Sequence, residues 1–199
     1  MARTGRIGFW TSGISEAQDN LLRCFFPEGN QKTIKELQER SGYSYERVHT
    51  SLKDLAKKKI VKEQSVGKTL LYLPDFTHLY MKLAFEHYMA EKVLEFSQKH
   101  YIIAKALKEI EESQLVVLFG SYAKKTETKA SDIDVLMLEG KNELKAIQTK
   151  YGLPFAPLSI AREEFKKIQK ENPELWQDLM ENGIIIKGAE LFYHLAYHG

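Results

Sequence analysis

Cysteine is nearly absent from this sequence, with Cys24 the one thiol in 199 residues. A disulfide framework and a cysteine-rich zinc site are therefore both excluded, which fits a reducing compartment and makes the cytoplasm the expected location. Long apolar runs are missing as well. No stretch of about 18 apolar residues exists to span a bilayer, so no membrane partner is expected, and Arg3 and Arg6 are not followed by the apolar segment that a secretory signal requires. Nor is there a surplus of one charge sign, because 29 basic and 27 acidic side chains leave a formal charge of +2. That sum implies no polyanionic partner, since phosphate binding depends on where cations cluster. What is present is 43% hydrophobic content, enough for one large domain or two small ones.

Along the amino-terminal third, Ala17, Leu21 and Leu22 recur at helical spacing from Ser15 to Cys24, and Pro27 with Gly29 ends the pattern. Thr33 caps a second, two-turn helix with Ile34 and Leu37 inward, stopped by Gly42. Ser44 caps a third, on which Val48, Leu52 and Leu55 form one apolar stripe to about Lys58. Ile60 to Gln64, a turn at residues 65–68 using Gly67, and Thr69 to Leu73 read as a β-hairpin. Three helices and a hairpin make a winged helix-turn-helix.

In that arrangement the third helix lies in the major groove of double-stranded DNA, making Tyr45, Arg47, Thr50, Ser51, Lys53 and Lys57 the candidate contacts. Glu46 and Asp54 share the same surface, and winged helices also dimerise or dock proteins, so that competing use stays open. Lys57 to Lys59 also suit the negative pole of a helix end. Gly67-Lys68-Thr69 imitate the end of a phosphate-binding loop, but Lys62 stands where its first glycine belongs and a strand with Pro74 follows. A P-loop is not expected here.

Residues 75–98 contain neither glycine nor proline and carry Leu79, Leu83, Tyr88 and Val93 at helical spacing, predicting a long connecting helix. A further helix is expected over residues 100–112, with Ile103, Ala106, Leu107 and Ile110 inward. The aromatics Phe76, Tyr80, Phe85, Tyr88 and Phe96 suit core packing or a homodimer contact better than a base-stacking platform.

The chemistry concentrates in residues 115–138. Leu115 to Phe119 is a short apolar strand that ends abruptly in Gly120-Ser121, and Asp132-Ile133-Asp134 open a second strand running to Leu138. Strand residues two apart share a face, so Asp132 and Asp134 project together roughly 6–7 Å apart along the chain while Ile133 points into the core. Two such carboxylates can share Mg2+ or Mn2+, which completes its shell with water and phosphate oxygens. Gly120 permits close approach of a phosphate, and Ser121 sits where a following helix would present free amides.

Phe119-Gly120-Ser121, ten residues, then Asp132-Ile133-Asp134 resembles the signature of the DNA polymerase β-type nucleotidyltransferase superfamily, and the run GSYAKKTETKASDIDVLML is similar to its minimal members. The resemblance extends from Leu115 to Leu138, more loosely to Ile186, and a winged helix ahead of such a domain looks like an archaeal arrangement. It implies that Gly120 and Ser121 bind a nucleoside triphosphate, and that Asp132 and Asp134 hold the metals that activate an attacking hydroxyl. Two departures accompany it. Lys124-Lys125 stand where the family often has Arg-Gly, keeping charge but losing the planar fork, and Lys124, Lys125 and Lys129 become candidate phosphate contacts. The later strand, Phe155 to Ile160, lacks the third carboxylate that usually assists the second metal, with Glu143, Glu163 and Glu164 the substitutes.

Helices are expected over residues 162–170 and from Pro173 to Asn182, ended by Gly183. His194 and His198, four apart, lack a further ligand in the sequence and read as part of an aromatic terminus with Phe192, Tyr193 and Tyr197. The expected fold is α+β: a winged helix-turn-helix (1–74), a helical connector (75–112) and a nucleotidyltransferase-like α/β domain with a small mixed sheet (113–199). Transfer of a nucleoside monophosphate to an unknown acceptor is the leading expectation. A DNA-binding regulator whose degenerate domain only binds nucleotide, and an antitoxin-like protein acting on a protein partner, are the alternatives.

Overall fold

The computed structural model describes residues 13–138 and 141–198, so Arg3 and Arg6 lie outside the described residues. Two compact units divide the chain, residues 1–84 and 85–199.

The first unit runs α1 (Glu16–Arg23), β1 (Lys32–Thr33), α2 (Ile34–Ser41), α3 (Tyr45–Lys57), β2 (Val61–Val66) and β3 (Thr69–Pro74). Each helix starts where a hydroxyl relieves an unpaired amide. Ser15 accepts from the Gln18 amide, Thr33 from Glu36 and Ser44 from Arg47, each cap being worth about 1 kcal/mol. Leu21, Leu22, Phe25, Leu37, Val48, Leu52 and Leu55 are fully buried. β3 lies between β1 and β2 in an antiparallel sheet, which completes the winged helix. Two details differ from expectation. Val66 pairs with Thr69, so the turn is only Gly67-Lys68, and Gly67 at φ 60° supplies the positive φ that two-residue hairpin loops demand. β1, too short to leave a periodic signal, pairs Lys32 with Tyr72 and Thr33 with Leu71.

α4 (Leu79–Lys99) begins four residues later than Asp75. The Asp75 carboxylate accepts from the Thr77 amide at 3.1 Å and its hydroxyl at 2.6 Å, a local turn that competes with helix. The division between units falls within α4, after Ala84.

The second unit continues through α5 (Tyr101–Lys108), β4 (Val116–Leu118), α6 (Gly120–Lys124), β5 (Ile133–Leu138), α7 (Lys141–Tyr151) and β6 (Phe155–Ile160). It ends with α8 (Arg162–Phe165), α9 (Ile168–Glu171), α10 (Pro173–Glu181), β7 (Ile184–Lys187) and α11 (Ala189–Tyr197). The strand order is β6-β5-β4-β7, with β5 and β6 parallel and the other pairs antiparallel. This is the small mixed sheet of an α+β fold. β4 is buried along its whole length, and Ile103, Ala106, Leu107 and Ile110 of the α5 region join its core. The helix expected over residues 162–170 is broken, because i to i+3 bonds from Lys167 to Glu164 and from Lys170 to Lys167 tighten the backbone there. Among the described residues no helix is long and apolar enough to cross a membrane.

Candidate functional site

The site is assembled where β4 ends. Phe119 donates its amide to the Asp134 carbonyl at 3.0 Å, so the last link of β4 ties it to β5 at the residue whose side chain matters. The chain then turns at Gly120, with φ 66°. A Cβ on Gly120 would lie 2.1 Å from Asp134 Oδ2 and 2.9 Å from its Cγ. Glycine is thus demanded twice, by a left-handed backbone and by a carboxylate seated against its Cα.

Asp132 precedes β5 and is exposed, Ile133 is fully buried, and Asp134 is half-buried. Burial raises the Asp134 pKa above the ordinary carboxylate value, the charges of Asp132 and Asp178 add to that, and Lys124 opposes it. In the parallel register of β5 and β6, Ala156 stands opposite Asp134, so the neighbouring position on that face carries a methyl group. The expected substitutes are engaged elsewhere or exposed. Glu143 accepts the Glu111 and Glu112 amides at 2.5 and 2.9 Å, Glu164 accepts the Ala161 amide at 2.7 Å, and Glu163 is exposed on α8. Among the described residues no group of three or more His, Cys, Asp or Glu side chains is arranged to hold a metal ion.

Asp178 is the acid that sequence reasoning missed. It projects from α10, and its Oδ2 accepts the Gly120 amide at 3.3 Å and lies 3.1 Å from Lys124 Nζ. No local pattern announces it, because the contact joins residues 58 apart and depends on how α10 packs. The two adjacent lysines part company: Lys124 joins the site, whereas Lys125, in a left-handed C-cap, pairs with Glu95 of α4. Lys129 is exposed in the loop after α6, a loop closed by the Thr128 amide on Ser131 Oγ at 2.9 Å. Ser121 is half-buried beside Gly120. Since α6 is only five residues long, its dipole adds little; the groups that hold the Asp178 carboxylate at the turn are an amide and an ammonium.

A family model for nucleotidyltransferase domains matches residues 100–186, and a penicillinase repressor model matches residues 14–120, more than half of the chain. The chain belongs to the penicillinase repressor family and carries a nucleotidyltransferase domain. No curated protein and no solved structure matches it.

On the repressor-type domain, α3 presents Tyr45, Arg47, Thr50 and Lys57 to solvent. Arg47 lies over the Tyr43 ring at 4.1 Å from its centroid, and Tyr45 stacks on His49. Lys53 reaches the wing, 3.0 Å from Glu63. Ser51 is 8% exposed and faces the core with Val48, Leu52 and Leu55, so it is withdrawn from the candidate contacts.

Proposed function

We propose that the nucleotidyltransferase domain moves a nucleoside monophosphate from a triphosphate to a hydroxyl acceptor, and that the repressor-type domain holds it on double-stranded DNA. The contact of Gly120 with Asp134 carries this reading: a turn that can admit a phosphate lies against a carboxylate that can share a metal with it. Mg2+ or Mn2+ fits the donor set, because Asp132 and Asp134 offer hard oxygens and Asp134 is already crowded by negative charge. When bound, such a cation would offset the charge of the triphosphate and polarise the phosphorus under attack.

The residues divide the work simply. Asp132 and Asp134 hold the metal, while the Gly120 amide, Ser121 and Lys124 receive phosphate oxygens. The acceptor hydroxyl gives up its proton to water as its oxygen bonds to the α-phosphorus, the bond from that phosphorus to the α–β bridging oxygen breaks, and pyrophosphate leaves. Lys125, paired with Glu95, is left out of this set. On the DNA side, Arg47, Thr50 and Lys57 of α3 meet the duplex with Tyr45, and Lys53 bridges helix and wing.

Ala156 opposite Asp134 favours a second reading, in which the domain binds nucleotide without turnover and acts as a sensor for the repressor-type domain. Incubation with labelled triphosphates and magnesium separates the two. Transfer requires pyrophosphate release that Asp132→Ala and Asp134→Ala both abolish. Nucleotide retained without release supports the sensor, and release that survives both substitutions refutes the site.

A further inference from the structure

The position of Asp178 is hard to explain as a stabilising choice. Its carboxylate stands close enough to Asp134 for the two like charges to repel, a cost that a neutral side chain would avoid. The carboxylate is nevertheless held firmly. Oδ2 takes both the Gly120 amide and Lys124, Oδ1 accepts from Asn182 Nδ2 at 2.9 Å, and the side chain is 14% exposed. One oxygen thus gathers a backbone N–H and an ammonium, the pair of donors that a phosphate oxygen would use. We propose that Asp178 is an affinity-determining residue that occupies the phosphate seat in the free protein, and that a triphosphate binds by displacing its carboxylate from Gly120 and Lys124.

This inference rests on the nucleotide reading above and adds a competitor to it. The displacement is confined to the side chain, because the end of α10 is fixed. Lys92 Nζ donates to the carbonyls of Glu181, Asn182 and Gly183 at 3.4, 3.2 and 2.9 Å, and a Cβ on Gly183 would strike the Leu179 carbonyl at 2.2 Å. Asp178 also differs in role from a third metal carboxylate. β5 lies between β6 and β4, so Ala156 approaches Asp134 from one neighbouring strand and Asp178 meets Gly120 beyond the other. Lys124 neutralises it where it sits.

The test is calorimetric titration of the full chain with α,β-methylene ATP in magnesium. Asp178→Asn keeps the size of the side chain while removing the competing charge, and it is expected to tighten binding about tenfold, equivalent to about 1.4 kcal/mol. Asn182→Ala, which frees only Oδ1, should tighten it by a smaller factor and serves if the first variant fails to fold. Adding Lys124→Met to Asp178→Asn should erase the gain, because the released ammonium is what the phosphate acquires. Binding by the wild type that Asp178→Asn leaves unchanged overturns this inference alone, and binding that it weakens overturns it and marks Asp178 as a ligand. Binding by neither protein overturns the nucleotide reading, and the inference with it.

Discussion

Replacing Gly120 by alanine imposes two costs that the structure allows to be separated. The first is backbone strain. At φ 66° an L-residue loses about 1–2 kcal/mol, and Gly152, at φ 63° with nothing within 4 Å of the place a Cβ would take, should pay only this cost as Gly152→Ala in the same unit. The second is steric. The new methyl would lie 2.1 Å from Asp134 Oδ2, so the carboxylate must leave its place or the turn must open. Asp134→Ala removes the atoms at 2.1 and 2.9 Å and leaves the Asp134 Cβ at 3.2 Å, which a small shift accommodates. Gly120→Ala should therefore destabilise more than Gly152→Ala, by an extra coupling on the order of 1–3 kcal/mol that vanishes in the Asp134→Ala background. Urea unfolding followed by fluorescence measures this, with Trp10→Phe leaving Trp176, packed edge-on to Phe165, as the reporter of the second unit. Equal costs for the two glycine variants, or a coupling below about 0.5 kcal/mol, would refute the claim that Asp134 is seated on Gly120.

Arg47→Ala should weaken binding to random duplex DNA and lower the slope of log affinity against log salt by about 1, as expected for one lost phosphate contact; an unchanged slope in a filter-binding series counts against α3 as the DNA face. Burial lowers the Lys92 pKa to about 8, with Lys125 contributing, so the folded state releases its proton before the unfolded state does. The burial penalty is fully present below about pH 8 and relieved as pH rises towards the ordinary value of 10.5. The stability of wild type relative to Lys92→Met should accordingly rise across that window, by about 3 kcal/mol at most, and a flat difference in denaturant midpoints would contradict it. Ala156→Asp places an acid opposite Asp134 and should raise Mn2+ affinity severalfold in a paramagnetic titration; no change would show that β6 does not border the metal position.

The amino-terminal fold was legible because its signals are local. Ser15, Thr33 and Ser44 each bond an amide three residues on, and α3 displays its apolar stripe at intervals of four and three. Where expectation slipped, a different local force was at work. At Asp75 a carboxylate captured the Thr77 amide and delayed α4, and at Val66 the strand pairing shortened the turn. β1 was invisible because a pair of residues carries no period. α7, β7 and α11, which no expectation covered, hold their places through the sheet rather than through a motif.

The site was legible only as far as the strand period reaches. Alternation puts Asp132 and Asp134 on one side of Ile133, and the abrupt Gly-Ser after an apolar strand marks the turn. Those inferences need no tertiary knowledge. Acids elsewhere could not be ranked, since Glu143, Glu164 and Asp178 all sit on helices in a chain whose charges are nearly balanced. Packing sorts them: Glu143 accepts the Glu111 and Glu112 amides in the chain after α5 and Glu164 caps the start of α8, whereas Asp178 satisfies the Gly120 amide and Lys124, which the turn would otherwise offer to a ligand. A carboxylate bound where a phosphate oxygen would bind is thus evidence about the seat itself. The same two donors that make Asp178 comfortable in the free protein are the reason an oxyanion can replace it.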